Sequence, residues 1–391
     1  MDRMESITFT RRISSSSIFS DQISKPEPET RRLYGSSECG AKPDKKATAK
    51  STATAKSKAR SINKQIVTLG RDGKWKDILI LYKEEKQHFD AVNHATVMSQ
   101  LGRIRQMRKD DPLFKAFLDD LSAKLHPSGI AWIAKTQTLA NIVHAIAKIG
   151  LKSNSIAMKI VRLVDDYETA EWLFDNGNSQ EVANCVWACG KLGIKSPNLF
   201  QFLDQRAEWL LDNGNPQEVA NCAWACGTLG IESPNLFRSL DQRAQCLVDN
   251  WTSQQMANCV WACGKLGFDP PNLFRLLDER AEWLVDNGTP QEVAICVWAC
   301  GTLGVESPSL FQLLDKRAQW LVDNGNPQEL ANCVWACGKL GVESQNLFQL
   351  LDKRAQWLLD GGNRHHIDAC VWACGKLAIE PPNLFRKQMA G

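Results

Sequence analysis

Pairs of cysteines are the residues of this sequence whose spacing most suggests chemistry. Six pairs share the spacing C-x₃-C: Cys185/Cys189, Cys222/Cys226, Cys259/Cys263, Cys296/Cys300, Cys333/Cys337 and Cys370/Cys374. On a helix this spacing puts both thiols on one face, and thiols from stacked helices could hold Zn²⁺. Structural zinc sites, however, favour C-x₂-C pairs or Cys/His sets, and no histidine recurs beside these pairs. We expect small core residues and no metal site.

A disulfide-linked secreted scaffold is the other interpretation of 14 cysteines. Such scaffolds are short and follow a signal peptide. This chain has 391 residues, and its first residues do not have the pattern of a secretory signal. No run of apolar residues is long enough to span a membrane. We therefore expect reduced thiols in an intracellular protein that does not enter a membrane.

Catalytic motifs are not apparent. The histidines (His88, His94, His126, His144, His365 and His366) are scattered. The sequence contains no phosphate-binding glycine loop, no nucleophile elbow and no H-E-x-x-H pair. It therefore predicts a protein that is not an enzyme, with no cofactor and no small-molecule substrate.

Each cysteine pair belongs to an internal repeat. The tryptophan between the two cysteines recurs at an interval of 37 residues, and a fixed period of this size is typical of solenoids. Within a unit, helix A is predicted from the N-cap Ser233 and Pro234 to Asp249. Helix B is predicted from Asn215, which forms a capping box with Glu218, to Gly230. Each helix has about 14 to 16 residues, and no strand pattern intervenes. The predicted fold is an all-α solenoid.

Three segments follow from this pattern. Residues 1–60 form a basic and Ser-rich tail that we expect to be disordered. Residues 61–177 are predicted to be divergent helical repeats, beginning with a helix near Ile62. Residues 178–391 are predicted to be regular repeats, the last one incomplete. Residues 41–60 hold seven Lys or Arg and one Asp. This cluster could be a nucleic-acid-binding arm, a targeting signal or a solvated linker. From residue 178 onward, the chain contains 17 Lys and Arg and 23 Asp and Glu, so the array itself is acidic.

One stripe of helix B is left open to a ligand. Val219, Cys222, Cys226 and Leu229 share the core side of the helix, and small residues adjoin them. The remaining stripe carries an asparagine and a lysine in most units, next to the tryptophan: Asn184, Asn221, Asn258, Asn332, Lys191, Lys265, Lys339 and Lys376. Asparagine can contact base edges and lysine can contact phosphates. Alternatively, the asparagines form a ladder of hydrogen bonds along the stack.

The tryptophans and a set of arginines complete the candidate surface. The indoles (Trp187, Trp224, Trp261, Trp298, Trp335 and Trp372) could stack on bases, or they could fill the gap between units. On helix A, one arginine per unit lies at the edge of the apolar face and forms a predicted ladder: Arg206, Arg243, Arg280, Arg317 and Arg354.

The segment of residues 328–341 resembles known repeats. Its pattern Gln-Glu-Leu-Ala-Asn-x-x-Trp-Ala-x-x-Lys-Leu-Gly is similar to the second helix of octatricopeptide repeats, and to the helical repeats of the FAST-kinase-like and RNA-editing substrate-binding complex families. The similarity covers roughly residues 90–391. It implies an α-solenoid that binds organellar RNA and acts in RNA processing, stability, editing or translation without catalysis.

We therefore expect single-stranded RNA as the ligand, bound by the asparagine and lysine stripe and by the arginine ladder. The alternative is a scaffold that binds proteins on the concave surface of the solenoid. The resemblance favours a mitochondrion or a plastid, with the cytoplasm and nucleus as other possible compartments.

Overall fold

The computed structural model describes residues 45–125, 130–152, 155–380 and 383, apart from the side chains of residues 45–54, 130, 131 and 155. The regular elements of this part are all helical, which confirms the all-α prediction. The chain divides into two units, Met1–Lys50 and Ser51–Gly391. Of the first unit, the structure describes residues 45–50, which are helical. Among the described residues, no helix combines the length and the apolar character needed to cross a membrane.

The second unit is a succession of short helices whose neighbours pack in chain order, as expected for a solenoid. A 3₁₀ turn covers Lys86–His88. The α-helices are α1 (Lys45–Arg71), α2 (Trp75–Glu85), α3 (Ala91–Leu101), α4 (Pro112–Lys124), α5 (Ile130–Ile133), α6 (Thr136–Ile149), α7 (Ser155–Asp165), α8 (Tyr167–Asn176), α9 (Ser179–Leu192), α10 (Pro197–Gln205), α11 (Ala207–Asn213), α12 (Pro216–Leu229), α13 (Pro234–Gln242), α14 (Ala244–Val248), α15 (Ser253–Leu266), α16 (Pro271–Glu279), α17 (Ala281–Asn287), α18 (Pro290–Leu303), α19 (Pro308–Lys316), α20 (Ala318–Asn324), α21 (Pro327–Leu340), α22 (Gln345–Lys353), α23 (Ala355–Gly361) and α24 (Arg364–Lys376).

Helix B forms as predicted in the repeats from α9 to α21, whereas α24 ends at Leu377 without a glycine. In α12, the Asn215 side chain accepts a hydrogen bond from the Glu218 nitrogen at 3.1 Å, and Glu218 Oε2 accepts one from the Asn215 nitrogen at 3.1 Å. The helix ends at Gly230 in the left-handed conformation (φ 61°), which glycine adopts without strain. The helices α3, α6, α9, α12, α15, α18, α21 and α24, here called the B helices, pack one against the next.

Helix A departs from the prediction because it is broken in two. The break falls on Arg206, whose φ of −106° and ψ of 23° separate α10 from α11. Neither Pro nor Gly stands there, so a helix-breaking residue is not the cause. Instead, the alanine after each break is buried against the core, with 0–2% of its surface exposed: Ala207, Ala244, Ala281, Ala318 and Ala355. Tertiary packing therefore sets the break, and the prediction of one continuous helix was wrong.

The cap of helix A also differs from the prediction. Ser233 occupies the N-cap position of α13, but its side chain does not bond to that helix. Ser233 Oγ donates instead to Asp204 Oδ1 of the preceding repeat, at 2.9 Å. The same carboxylate accepts the backbone N–H groups of Asn235 at 2.8 Å and Leu236 at 3.2 Å. The cap of one repeat is thus an aspartate of the repeat before it.

Successive B helices approach each other closely at a glycine. A Cβ atom placed on Gly227 would lie 2.9 Å from the Ala262 Cα and 3.0 Å from Cζ3 of Trp261. Real Cβ atoms are not found this close to backbone, so only glycine fits. The same contact recurs at Gly190, Gly264, Gly301 and Gly338. The small residues predicted beside the core stripe are therefore where adjacent repeats meet.

The paired cysteines lie in the core, as predicted. All twelve have at most 1% of their surface exposed, and they are free thiols. Burial, with Asp204 nearby, raises the pKa of the Cys226 thiol to about 12, which disfavours the thiolate that metal binding needs. Within the described ranges, no group of three or more Cys, His, Asp or Glu side chains is arranged to hold a metal ion.

The N-terminal boundary of the helical region differs from the prediction. Helix α1 begins at Lys45 rather than near Ile62, so part of the segment expected to be disordered is helical. Residues 45–69 contain no Pro or Gly and are rich in Ala and Lys, which have high helix propensity. Ile62 and Ile66 are buried, which anchors this helix. The rest of the predicted tail, residues 1–44, lies outside the described residues.

Candidate nucleic-acid interface

One polar stripe runs across the B helices and contains the asparagines and lysines selected from the sequence. We call it the B-face, defined by the asparagine, tryptophan and lysine positions of α9, α12, α15, α18, α21 and α24 and their counterparts in α6. In α15 these are Asn258 and Trp261, both half-buried, and Lys265, which is exposed. Because the B helices from α9 to α21 start with a similar cap and end at the same position, equivalent residues are aligned from repeat to repeat.

A groove of about 530 Å³ on the B-face brings several of these residues together. It spans α12, α15, α18 and α21, so three successive inter-repeat junctions contribute to it. Three half-buried indoles and several amides form its wall, with one lysine. Its lining comprises Trp224, Asn258, Trp261, Lys265, Gln291, Ala294, Ile295, Trp298, Asn326, Gln328, Glu329 and Asn332.

The asparagine side chains of the B-face do not form a ladder along the stack. Within the described ranges, the Asn184, Asn258 and Asn332 side chains make no hydrogen bond, and Asn221 accepts one from Gln217 Nε2 of its own helix at 2.9 Å. These amides are half-buried, so contact with a ligand would add hydrogen bonds without breaking internal ones. In α18 the position is occupied by Ile295, which interrupts the series.

The tryptophans fill space between repeats and also line the groove. Cζ3 of Trp261 lies 3.0 Å from a Cβ position on Gly227, and Trp224, Trp298, Trp335 and Trp372 have the same relation to the glycine one repeat earlier. Each indole is nevertheless half-buried rather than enclosed. The structural role that the sequence predicted is therefore real, and it leaves part of each ring available for stacking.

The arginine ladder is already engaged within the protein. Arg206 Nη2 lies 2.7 Å from Asp175 Oδ1, and Arg354 Nη2 lies 2.9 Å from Asp323 Oδ1 of the preceding repeat. Equivalent pairs join Arg243 to Asp212, Arg280 to Asp249 and Arg317 to Asp286. These arginines do not line the groove, and contact between them and RNA remains a prediction.

A second cavity on the B-face, of about 440 Å³, lies between α3, α6 and α9. Arg103, His144 and Lys148 line it together with amides that include Asn141 and Asn184. His144 stands at the tryptophan position of α6, and its ring centroid lies 4.9 Å from that of Trp187. Burial, with Lys148 and Arg103 nearby, lowers the pKa of His144. The lining of this cavity is therefore basic, whereas the lining of the groove is aromatic.

Sequence reasoning missed two sets of residues on the B-face. Gln291 and Gln328, in the first turns of α18 and α21, line the groove, and the recurrence of glutamine at this position from α9 to α21 was the available signal. Arg103 and Lys148 were missed because they lie in the irregular repeats, although Lys148 has the same spacing from Asn141 as Lys191 has from Asn184. There the connections vary in length, so no fixed period relates the two residues to each other.

Comparison with known families identifies one family whose model covers much of the helical array. The family model of the RNA-editing substrate-binding complex 6 protein matches residues 87–337, which is more than half of the chain. A comparison with curated proteins gave no significant match. The matched residues include the B helices from α3 to α18, most of α21 and most of the B-face. This chain belongs to the RNA-editing substrate-binding complex 6 protein family.

Proposed function

We propose that this protein binds single-stranded RNA along the B-face and acts in RNA editing or related RNA processing without catalysing a reaction. The observation that carries the proposal is the groove, in which partly open indoles lie beside unpaired asparagine amides and a lysine. Stacking of a base on an aromatic ring contributes about 1–3 kcal/mol and tolerates any sequence. Asparagine and lysine would add base-edge and phosphate contacts.

Family membership supports this proposal, because the family is named for a complex that binds the substrates of RNA editing. We also propose a mitochondrial location and protein partners within such a complex. The acidic charge of the array argues that binding depends on local cations and stacking rather than on net charge.

The test is a titration of the full chain with a fluorescent single-stranded oligouridylate at several salt concentrations. Substitution of the B-face lysines Lys191, Lys265, Lys339 and Lys376 by Ala should weaken binding and lower the slope of log affinity against log salt, by up to about 3 if each lysine neutralises one phosphate. Asn258→Ala/Asn332→Ala should weaken binding at all salt concentrations without changing thermal stability, since these amides have no internal partner.

A matched control removes four lysines elsewhere. Lys83, Lys115, Lys316 and Lys353 are exposed on α2, α4, α19 and α22, and none lines the groove. Substituting these four by Ala changes the net charge equally and should leave the affinity nearly unchanged. If both quadruple variants lose affinity equally, or if only alanine substitutions at Lys45, Lys46, Lys50 and Lys56 of α1 matter, the B-face is not the RNA site. The scaffold function would then be the better explanation.

A further inference from the structure

The cavity between α3, α6 and α9 differs chemically from the rest of the B-face. Two cationic side chains from different helices, Arg103 after the end of α3 and Lys148 near the end of α6, line the same space of about 440 Å³. By contrast, the aromatic groove contains one lysine and three indoles. Both side chains are exposed and line one cavity, so an anion bound there would be attracted by two positive charges.

Neither cation has a carboxylate partner. In the part of the chain that the structure describes, the side chains of Arg103 and Lys148 make no ion pair or hydrogen bond. The carboxylate that also lines the cavity belongs to Glu181, which is occupied by its capping box: Oε2 accepts from the Asn178 nitrogen at 3.3 Å and Oε1 from Asn178 Nδ2 at 3.2 Å. The cavity therefore has an excess of unpaired hydrogen-bond donors with positive charge.

The remaining lining consists of groups that can bind a phosphate or the sugar beside it. Four side-chain amides line the cavity, those of Gln137, Asn141, Gln180 and Asn184. The half-buried His144 ring also lines it and contacts the ring of Trp187. An imidazole in place of an indole shortens the side chain at this position and leaves room that a tryptophan would fill. The replacement thus opens the cavity beside the two cations.

We infer that this cavity is a phosphate-binding subsite that holds one phosphate group of the RNA strand, with Arg103 and Lys148 as its cationic contacts. The inference rests on the proposed function, and it places a phosphate at the N-terminal part of the B-face while bases stack on the tryptophans further along. The phosphate can belong to the terminus of the strand or to its backbone, and the chemistry of recognition is the same.

The experiment compares Arg103→Ala/Lys148→Ala with Arg105→Ala/Lys152→Ala in the full chain. Arg105 and Lys152 are exposed, lie close in sequence to the first pair and do not line the cavity. Binding of oligouridylate is measured at several salt concentrations, with 5′-phosphate and 5′-hydroxyl oligonucleotides in parallel. Direct calorimetric titration with inorganic pyrophosphate provides a measurement that does not need RNA.

We expect the cavity variant to lose about tenfold or more in affinity and to lower the salt slope by about 0.7, the value for one phosphate contact on a single strand. The control variant should change neither. A loss seen only with the 5′-phosphate oligonucleotide assigns the terminal phosphate, and an equal loss with both assigns a backbone phosphate; either result supports the subsite. The charge-preserving exchange Arg103→Lys/Lys148→Arg should retain most of the affinity.

Equal losses in the cavity and control variants would overturn the inference, because the effect would then be general electrostatics. Failure of the wild-type protein to bind oligouridylate would overturn the proposed function instead. In that case, pyrophosphate binding that disappears in the cavity variant would still support the subsite, and its absence in the wild type would refute it.

Discussion

The Oδ1 atom of Asp204 lies 2.8 Å from the backbone nitrogen of Asn235, in the first turn of the following repeat's helix. Equivalent aspartates bond to the next repeat in the same way at Asp165, Asp241, Asp278, Asp315 and Asp352. Each repeat therefore supplies a hydrogen-bonding group that the start of the next helix lacks, in addition to the apolar surface that they share.

This capping contact predicts that loss of Asp278 lowers the unfolding free energy more than loss of Asp286 in the same repeat. Asp278 accepts hydrogen bonds from Ser307, Ser309 and the Leu310 nitrogen, so Asp278→Ala should lower the unfolding free energy by about 1–2 kcal/mol, the cost of a lost cap. Asp286 is exposed and pairs with Arg317, so Asp286→Ala should cost at most about 1 kcal/mol. Urea unfolding followed by circular dichroism measures both, and equal costs would contradict the capping role.

The close approach of B helices predicts opposite effects of one substitution at two equivalent glycines. A Cβ on Gly338 would lie 2.7 Å from Ala373 Cα, so Gly338→Ala should destabilise the array by about 1–3 kcal/mol through overpacking. A Cβ on Gly375 meets nothing within 4 Å among the described residues, so Gly375→Ala should be neutral or stabilise α24 by up to about 1 kcal/mol through helix propensity. Thermal unfolding of the two variants decides whether contact or propensity dominates.

Cys246 should react with thiol reagents much faster than the cysteines of the C-x₃-C pairs. Cys246 is exposed, whereas both members of every C-x₃-C pair are buried and, for example, burial raises the pKa of Cys300 to about 12. In a Cys39→Ser background, a thiol reagent should react quickly with Cys246 and with the remaining cysteines only as the array unfolds. Chelators should not change the unfolding temperature. Rapid native reaction of several thiols would contradict the packed core.

Acid should destabilise the N-terminal repeats through His94. This side chain is fully buried; its Nδ1 lies 2.8 Å from the Asp90 carbonyl oxygen, and Nε2 has no hydrogen-bond partner within the described ranges. Burial lowers the pKa of His94; nearby Lys124 also lowers it, and Asp90 and Asp120 partly oppose this. The folded state therefore favours the neutral ring, so stability is full above the unfolded pKa and falls as pH drops through it towards the folded pKa.

The slope for one such group is at most about 1.4 kcal/mol per pH unit. Unfolding free energies measured between pH 8 and pH 5 should show a smaller loss in His94→Phe than in the wild type, with a residual part from His144, whose pKa is lowered as well. A core substitution that removes no titratable group provides the control, since Phe114→Leu should lower stability but keep the wild-type pH dependence. An unchanged slope in His94→Phe would refute this assignment.

The parts of this structure that depend on near neighbours in sequence could be predicted. The Asn215 and Glu218 capping box and the left-handed Gly230 involve residues within one helix, so their spacing is sufficient evidence. The ion pair between Arg206 and Asp175 and the bond from Asp204 to Asn235 each join two repeats, 31 residues apart, and helical periodicity carries no information about such contacts. Their signal was the recurrence of Asp and Arg in every unit, which does not reveal their partners.

For the candidate site, periodicity identified the polar stripe of the regular helices but not the residues at its N-terminal end. Asn258 and Lys265 were predicted on the open side of helix B, and both line the groove. Arg103 could not be found in the same way, because it lies in the irregular connection that follows α3. Lys148 was missed although its spacing from Asn141 is that of Lys191 from Asn184. A cavity made by two irregular repeats is visible only once the helices are placed in space.

The aspartate caps give the array a direction. Each carboxylate serves the repeat that follows it, so the loss of a repeat leaves the helix after it uncapped, while the repeat before it keeps its own cap. A repeat added on the C-terminal side would therefore be capped by the repeat before it, whereas a repeat added on the N-terminal side would supply a cap but lack its own.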